Sequence, residues 1–465
     1  MARGDVERTV HGAGGPGHDA GADGGPGADV DSAPGADVDA APDVVDVVVV
    51  GSGAAGQMAA AEIGRRAGVV VLTDRGLGTS ASAVAQGGLQ LPADTDEARA
   101  AMRSDMLASG GDGVDPERVR HFVDSIRPAI DRLVSWGLEL DRGPDGTPLT
   151  LSAGGLSEPR IVTSGRRIGP AVLRVLRDRL DELGTTVRTR TTVVAIRPSP
   201  DGQTVEVDVT TAAAGAGAAA QDDGETVEAE TADAGTGDTV SGAIETIVAR
   251  SVIVATGGRS FDEGRRTGRP TSNPTNRNES MHDVLRGLGI DEVDPDLFQY
   301  HPYGIVGADG VDTGVCVPES IVAFGGRLVD DDGGALVDPT ADRAQVVAAM
   351  RRHLGDDAGA SGATCRLSLD GVDEAALLDR YPHLRRLLDG RRRTDGTIPV
   401  RPVLHYQLGG FVVGPDGSTT VPGLFLAGEI TGGLHGRNRL MGNGITEAVV
   451  DGWSAARAAL ARVDR

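Results

Sequence analysis

No lysine occurs anywhere in this chain of 465 residues, so its 45 basic residues are all arginine. That bias fits the codon usage of a GC-rich genome and carries no mechanism. Cysteine is nearly absent too: Cys316 and Cys365 stand far apart, with no Cys-x-x-Cys spacing. This excludes a disulfide framework and a cysteine-ligated metal or cluster site, and a reducing cytoplasm suits such a chain. No apolar run is long enough to span a bilayer, and the N-terminus lacks the basic start and apolar core of a signal peptide. An excess of positive charge is missing as well. The 68 acidic residues leave a formal net charge of -23 and a pI near 4.8, which argues against nucleic acid or an anionic membrane as a partner.

What is present is glycine at the ends of apolar runs. Residues 46–56, DVVVVGSGAAG, read as a buried strand, a G-x-G-x-x-G turn and the Ala-rich start of a helix. Residues 251–258, SVIVATGG, are a second strand ending in glycine. A third lies in residues 423–444, GLFLAGEITGGLHGRNRLMGNG, where a strand leads through a polar loop to a helix start. Three such endings suggest one parallel sheet of α/β class whose carboxyl edges converge on one ligand. The last loop sets His435, Arg437, Asn438, Arg439 and Asn443 beside a helix N-terminus, whose free N–H groups and positive dipole end favour an anion.

The rest of the chain can be laid out in order. At 47.5 kDa it has ample length for a large core and two joined domains. Met1–Pro42 is mostly Gly, Ala, Asp, Pro and Val and is expected to be a disordered acidic tail. A helix is expected over 54–66 and a strand over 69–73, with Thr73 or Asp74 at its end; the carboxylate of Asp74 is the stronger acceptor for a ribose. Residues 121–136 read as an amphipathic helix with Trp136 in the core. Strands over 191–196 and 204–209 form a hairpin, and 211–241 is a low-complexity insertion extending it. The final helix is expected over 445–460, with Ala448, Val449, Trp453 and Ala456 inward.

Together GSGAAG, AQGG (85–88), ATGG (255–258), QYHP (299–302), HYQLGG (405–410), AGE (427–429) and HGRNRLMGN (435–443) resemble, in order, the flavoproteins that include L-aspartate oxidase, soluble fumarate reductase and the succinate dehydrogenase flavoprotein. The resemblance covers roughly residues 44–460. It implies a Rossmann-like FAD-binding domain of glutathione-reductase type, over 43–258 and 401–465, with an inserted α+β capping domain over 259–400. It assigns FAD to Gly51, Ser52, Gly53, Ala54, Ala55 and Gly56, to Thr73 or Asp74, and to Ser80, Ser82, Gln86, Gly87 and Gly88. Further along it assigns the cofactor to Ala255, Thr256, Gly257, Gly258, Gly428, Glu429, Asn443, Gly444 and Ile445. Membrane succinate dehydrogenases join a histidine covalently to the flavin near Ala81, so non-covalent FAD is expected here.

For the reaction, the resemblance implies hydride transfer between flavin N5 and a small carboxylic acid, held by His405, Arg439 and His301, with no metal. The chain departs from the family at three points. Ala153 and Leu156 replace the acid and histidine of a segment like EGGHS. Val322, in PESIVAFGG (318–326), stands where a segment like TEALRGEGA carries a proton-exchanging arginine. Loss of a general acid costs about 100- to 10,000-fold in rate. Arg327, Arg166, Arg167 and Tyr303 remain as substitutes. A more apolar acid, or a flavin-binding protein without turnover, are the alternatives. The sequence ends at Arg465 without the helical C-terminal domain of the respiratory enzymes, so no iron-sulfur partner subunit is expected.

Overall fold

The computed structural model describes residues 44–165, 167–212, 243–273, 278–307, 312–330, 332–355, 363–382 and 384–465. The expected tail, the insertion from residue 213 to 241, and Arg166 lie outside these.

The first strand, Val45–Val50, is nearly all valine and buried on both faces. Val47 and Val49 enter one apolar cluster while Val48 and Val50 enter another, as the two-residue period of a strand requires. Each such burial stabilises the fold by about 1.5–3 kcal/mol. Parallel neighbours flank it: Val69–Leu72 on one side and Ile244–Val254 on the other. Thr186–Arg188 extends the sheet beyond the former, and Leu424–Leu426 pairs with the second half of Ile244–Val254. The first half of Ile244–Val254 pairs antiparallel with Val205–Thr211, which continues the hairpin to Thr191–Pro198. Val50, Val254 and Leu426 are in register, so the three glycine-bearing ends do meet at one edge.

Helices Ala54–Ile63, Ile168–Leu183 and Asn443–Val463 share the first cluster with Pro116–Ser135. The helix expected over 54–66 stops at Ile63 because Gly64 turns to φ 58°. The one expected from 121 begins at Pro116, where Asp115 accepts from the backbone N–H groups of Glu117 and Arg118. Trp136 is only half-buried, flanked by the guanidinium groups of Arg132 and Arg179 at 5.8 and 5.6 Å from its ring.

A second, antiparallel sheet has the order Asp312–Cys316, Phe298–Val306, Thr397–Gln407, Cys365–Ser368, Arg327–Val329. It packs on helix Arg343–Leu354 around Ile305, Met350, Leu367 and Val400. The strand Thr397–Gln407 runs unbroken through the expected domain boundary at 400/401, because pairing with Phe298–Val306 continues to Gln407.

Candidate active site

At the carboxyl edge of the parallel sheet the protein offers mostly backbone. Gly51 turns the chain at φ 108°, and a Cβ there would lie 2.4 Å from the Ala255 carbonyl oxygen. A Cβ on Gly56 would lie 2.0 Å from the carbonyl oxygen of Gly51, so this glycine lets helix and strand touch. Gly53 has no such neighbour; the nearest atom is Ser82 Oγ at 3.5 Å, which leaves space at the helix start. Ala54 N donates to that same Ser82 Oγ at 3.1 Å, while Ala55 packs under Gly428 and Gly452.

Ser52 and Thr73 share a hydrogen bond of 2.8 Å between buried hydroxyls. Asp74 points outward, its side chain 53% exposed and 3.8 Å from Arg75. Ser80 sits beside Ser82 in the loop that brings Gln86, Gly87 and Gly88 under the Met441–Gly442 turn. On the next strand end, Gly257 adopts φ 86° after Ala255 and Thr256. Gly258 backs onto Glu429, which accepts from Gln407 N at 2.9 Å. Burial pushes the Glu429 carboxyl up to about 7.

Helix Asn443–Val463 opens behind Gly442 at φ 86°, with Ile445 buried below. Its turn is anchored from beneath: Gln90 Nε2 donates to Met441 O at 2.7 Å, and buried Arg160 donates to Gln90 Oε1 at 2.7 Å and Asp105 at 2.6 Å. Ser80 Oγ, Thr256 Oγ1, and both Asn443 Oδ1 and Nδ2 are buried without a hydrogen-bond partner among the described residues. A Cβ on Gly444 would press on Arg439 Nη1 at 3.2 Å and the Tyr406 ring at 3.3 Å. That crowding accounts for glycine there.

The second sheet brings side chains. Gln299 pairs with Tyr406 and Tyr300 with Leu404, so His405 is the extra residue of a bulge and faces His301, ring centroids 5.0 Å apart. Tyr303 N donates to His301 Nδ1 at 3.2 Å, which leaves the ring proton of the neutral imidazole on Nε2. Burial, with Arg343 and Arg439 nearby, pushes His301 down to about 4. The same causes, joined by His301 itself, hold His405 well below its ordinary value. Ser272 Oγ lies 2.7 Å from His405 Nδ1.

Arg439 stacks over the Tyr406 ring at 4.3 Å, and its Nε has no hydrogen-bond partner. Burial, with the Arg343 charge beside it, lowers it to about 10. The Tyr406 hydroxyl donates to Glu447, and His435 Nε2 lies 3.1 Å from the same carboxylate. Arg118 extends this buried network to Asp451 at 3.0 Å and donates to the Gly432 carbonyl.

A cavity of about 380 Å³ lies between the antiparallel sheet with its helix Arg343–Leu354, the 152–156 loop and the 438–441 turn. Ala153, Leu156 and Val322 line it, as the sequence suggests, yet an arginine is there after all. Arg343, whose side chain is 8% exposed, enters from the first turn of helix Arg343–Leu354. Its Nε and Nη2 meet Glu319 Oε1 and Oε2 at 2.7 and 2.8 Å, a bidentate pair that pushes the buried Glu319 carboxyl down to about 2. Its Nη1 donates to Gln299 Oε1, and Gln299 Nε2 donates to Asn438 Oδ1. The expected substitutes fare differently. Arg327 is exposed at the cavity rim and Arg167 does not line it. Tyr303 does line it, with burial raising its phenol above the ordinary value.

The sequence profile described as FAD binding domain matches residues 46–445. The chain belongs to this family. The L-aspartate oxidase of Mycobacterium leprae is 32% identical over 438 residues, covering 90% of this chain and 74% of that protein. The Synechocystis L-aspartate oxidase is 29% identical over 415 residues, covering 87% and 69%. Among solved structures, an E. coli quinol fumarate reductase chain matches with TM-score 0.75 at 23% identity over 91% of this chain and 71% of that one. A 3-ketosteroid-delta4-(5alpha)-dehydrogenase from Rhodococcus jostii matches with TM-score 0.61 at 18% identity, over 91% and 98%. These last two likenesses show the fold alone.

The protein is thus an FAD-dependent oxidoreductase of the L-aspartate oxidase family, with an α/β FAD-binding fold and a capping domain. Its residues fit the cofactor, since the space over Gly53 and the unpartnered atoms of Ser80, Thr256 and Asn443 gather at one sheet edge. Among the described residues, no group of His, Cys, Asp or Glu is placed to hold a metal, and no helix is long and apolar enough to cross a membrane.

Proposed function

We propose that the protein holds FAD non-covalently and moves a hydride between it and a carbon beside the carboxylate of a small acid. The observation that carries this reading is Arg439: a buried guanidinium at the cavity wall that pairs with no carboxylate among the described residues, its Nε unpaired and its Nη1 donating to the Leu440 carbonyl oxygen at 3.4 Å. A bare buried cation is costly unless an anion completes it. FAD, when bound, supplies the hydride donor or acceptor. Ser80, Thr256, Glu429 and Asn443 hold the cofactor in the frame set by Gly51 and Gly53, and the ribose lies near Thr73 or Asp74.

Arg439 and His405 grip the carboxylate, and His301 adds a neutral Nε2 donor. Arg343 gives a proton to the substrate carbon, or takes it back, in place of a residue in 318–326. A guanidinium is a weak acid, yet a carbon beside a carboxylate is a far stronger base once its neighbour has received a hydride. The carboxylate of Glu319 keeps Arg343 aimed and charged until then.

Spectra recorded under nitrogen test this. Acid precipitation should release the flavin into the supernatant. The oxidised protein should bleach with a saturated acid, or the reduced protein should reoxidise with the unsaturated one. Arg343→Gln should slow that step about 100- to 10,000-fold with flavin still bound. An Arg343→Gln protein as fast as the parent would remove Arg343 from the proton step; flavin indifferent to every acid in both states would end the reading.

A further inference from the structure

We propose that the acid this site takes carries one carboxylate and an apolar remainder, so that a second carboxylate on the substrate is disfavoured. This rests on the reading above that the cavity receives a carboxylic acid at Arg439.

The charges around the cavity decide the matter by what each is already bound to. Arg343 is spent on Glu319, through both oxygens of that carboxylate. Asp342 caps helix Arg343–Leu354, accepting from Gln345 N while Gln345 Oε1 takes the Asp342 N–H. Asp338 accepts from both the backbone and the hydroxyl of Thr340. Arg327 is exposed at the rim. What remains for a ligand is the Arg439 guanidinium, with two histidines kept neutral behind it. One buried cation matches one carboxylate.

The apolar wall of the cavity offers a second carboxylate no buried, unpaired cation among the described residues, since Arg343 is held by Glu319 and Arg327 stands exposed at the rim. Ala153, Leu156, Val322, Val337, Val346 and Leu440 form it, and the carboxylate-bearing Glu319, Asp338 and Asp342 line the same cavity. A diacid would set its outer charge on apolar surface and near like charges, two penalties at once. A hydrocarbon end would instead lose its contact with water. Each buried methylene should then strengthen binding about fourfold.

The test uses the FAD-loaded protein under nitrogen, titrated with butyrate, valerate, hexanoate, succinate and L-aspartate, and reads the perturbation of the flavin band. Affinity should climb about fourfold per methylene from butyrate to hexanoate, with succinate about tenfold or more weaker than valerate. Val322→Arg, which plants a cation in the apolar wall, should reverse that order in favour of succinate. Succinate or L-aspartate binding more tightly than every monocarboxylate overturns the inference, even if either bleaches the flavin and so upholds the hydride-transfer reading. Monocarboxylates that bind in the expected order but exchange no electrons, directly or as their unsaturated forms, uphold the inference and remove that reading instead. If no acid binds, both fall.

Discussion

In the parallel sheet, Val45–Val50, Ile244–Val254 and Leu424–Leu426 end in glycines and would offer backbone to the cofactor; in the antiparallel sheet, Phe298–Val306 and Thr397–Gln407 would offer side chains to the proposed substrate. The first arrangement needs closeness, because dinucleotides are held by N–H groups and by chain that can approach them. The second needs charge and proton chemistry in a dry place, which only side chains supply. The difference should recur in how each region tolerates change: a single methyl group at Gly51 should defeat the first, while the second should fail by loss of one functional group with the fold intact.

The largest expected effect falls on the backbone side. Gly51→Ala places a Cβ 2.4 Å from a carbonyl oxygen at a φ that disfavours it, and the protein should purify without flavin, read as the loss of its visible absorbance relative to protein. If it retains flavin, the contrast between the sheets fails. Next comes Arg343→Gln, with its loss of about 100- to 10,000-fold in kcat and an unchanged flavin content.

Tyr406→Phe keeps a ring under Arg439 but deprives the Glu447 carboxylate of its phenol donor. It should lower stability by about 1.5–3 kcal/mol, seen in thermal melts, and leave most of the activity. The smallest effect should be the pH dependence of the cofactor-free protein. His301 titrates near 4 when folded and near 6.5 when unfolded, with His405 and His435 lowered in the same direction. The unfolded chain binds more protons in that window, so this contribution is complete above 6.5 and is lost as pH falls towards 4. Glu429 and Asp451, both raised to about 7, act oppositely, since their contribution is complete at low pH and is lost as pH rises through 7. Tm should therefore change little between pH 7 and 5 in the parent and fall more steeply in Glu429→Gln; equal slopes would show that Glu429 carries no such shift.

The glycine-lined sheet edge was legible in the sequence because its signals are local. GSGAAG, ATGG and AGE each join a strand end to its turn within a few residues, and burial on both faces writes a strand as unbroken Val and Ile. The substrate side was legible only in part. His301, His405 and Arg439 stand in motifs, but what surrounds each of them comes from a distant stretch of chain: the bulge that turns His405 to His301, and the Tyr406 ring beneath Arg439. Arg343 carried only a weak sign, the Asp342-x-x-Gln345 capping box, which marks a helix start and says nothing about where it points.

By itself the sequence determined the parallel strands of the first sheet with their glycine-bearing ends, and the apolar character of Ala153, Leu156 and Val322, since each is written in a local stretch of chain. Tertiary structure alone decided which arginine reaches the cavity, which is paired with a carboxylate and which is left with an unpaired Nε. Those are questions of distance between charges 24 residues apart in the Glu319–Arg343 pair, and the energy of a charge in a dry site is set by its neighbours in space.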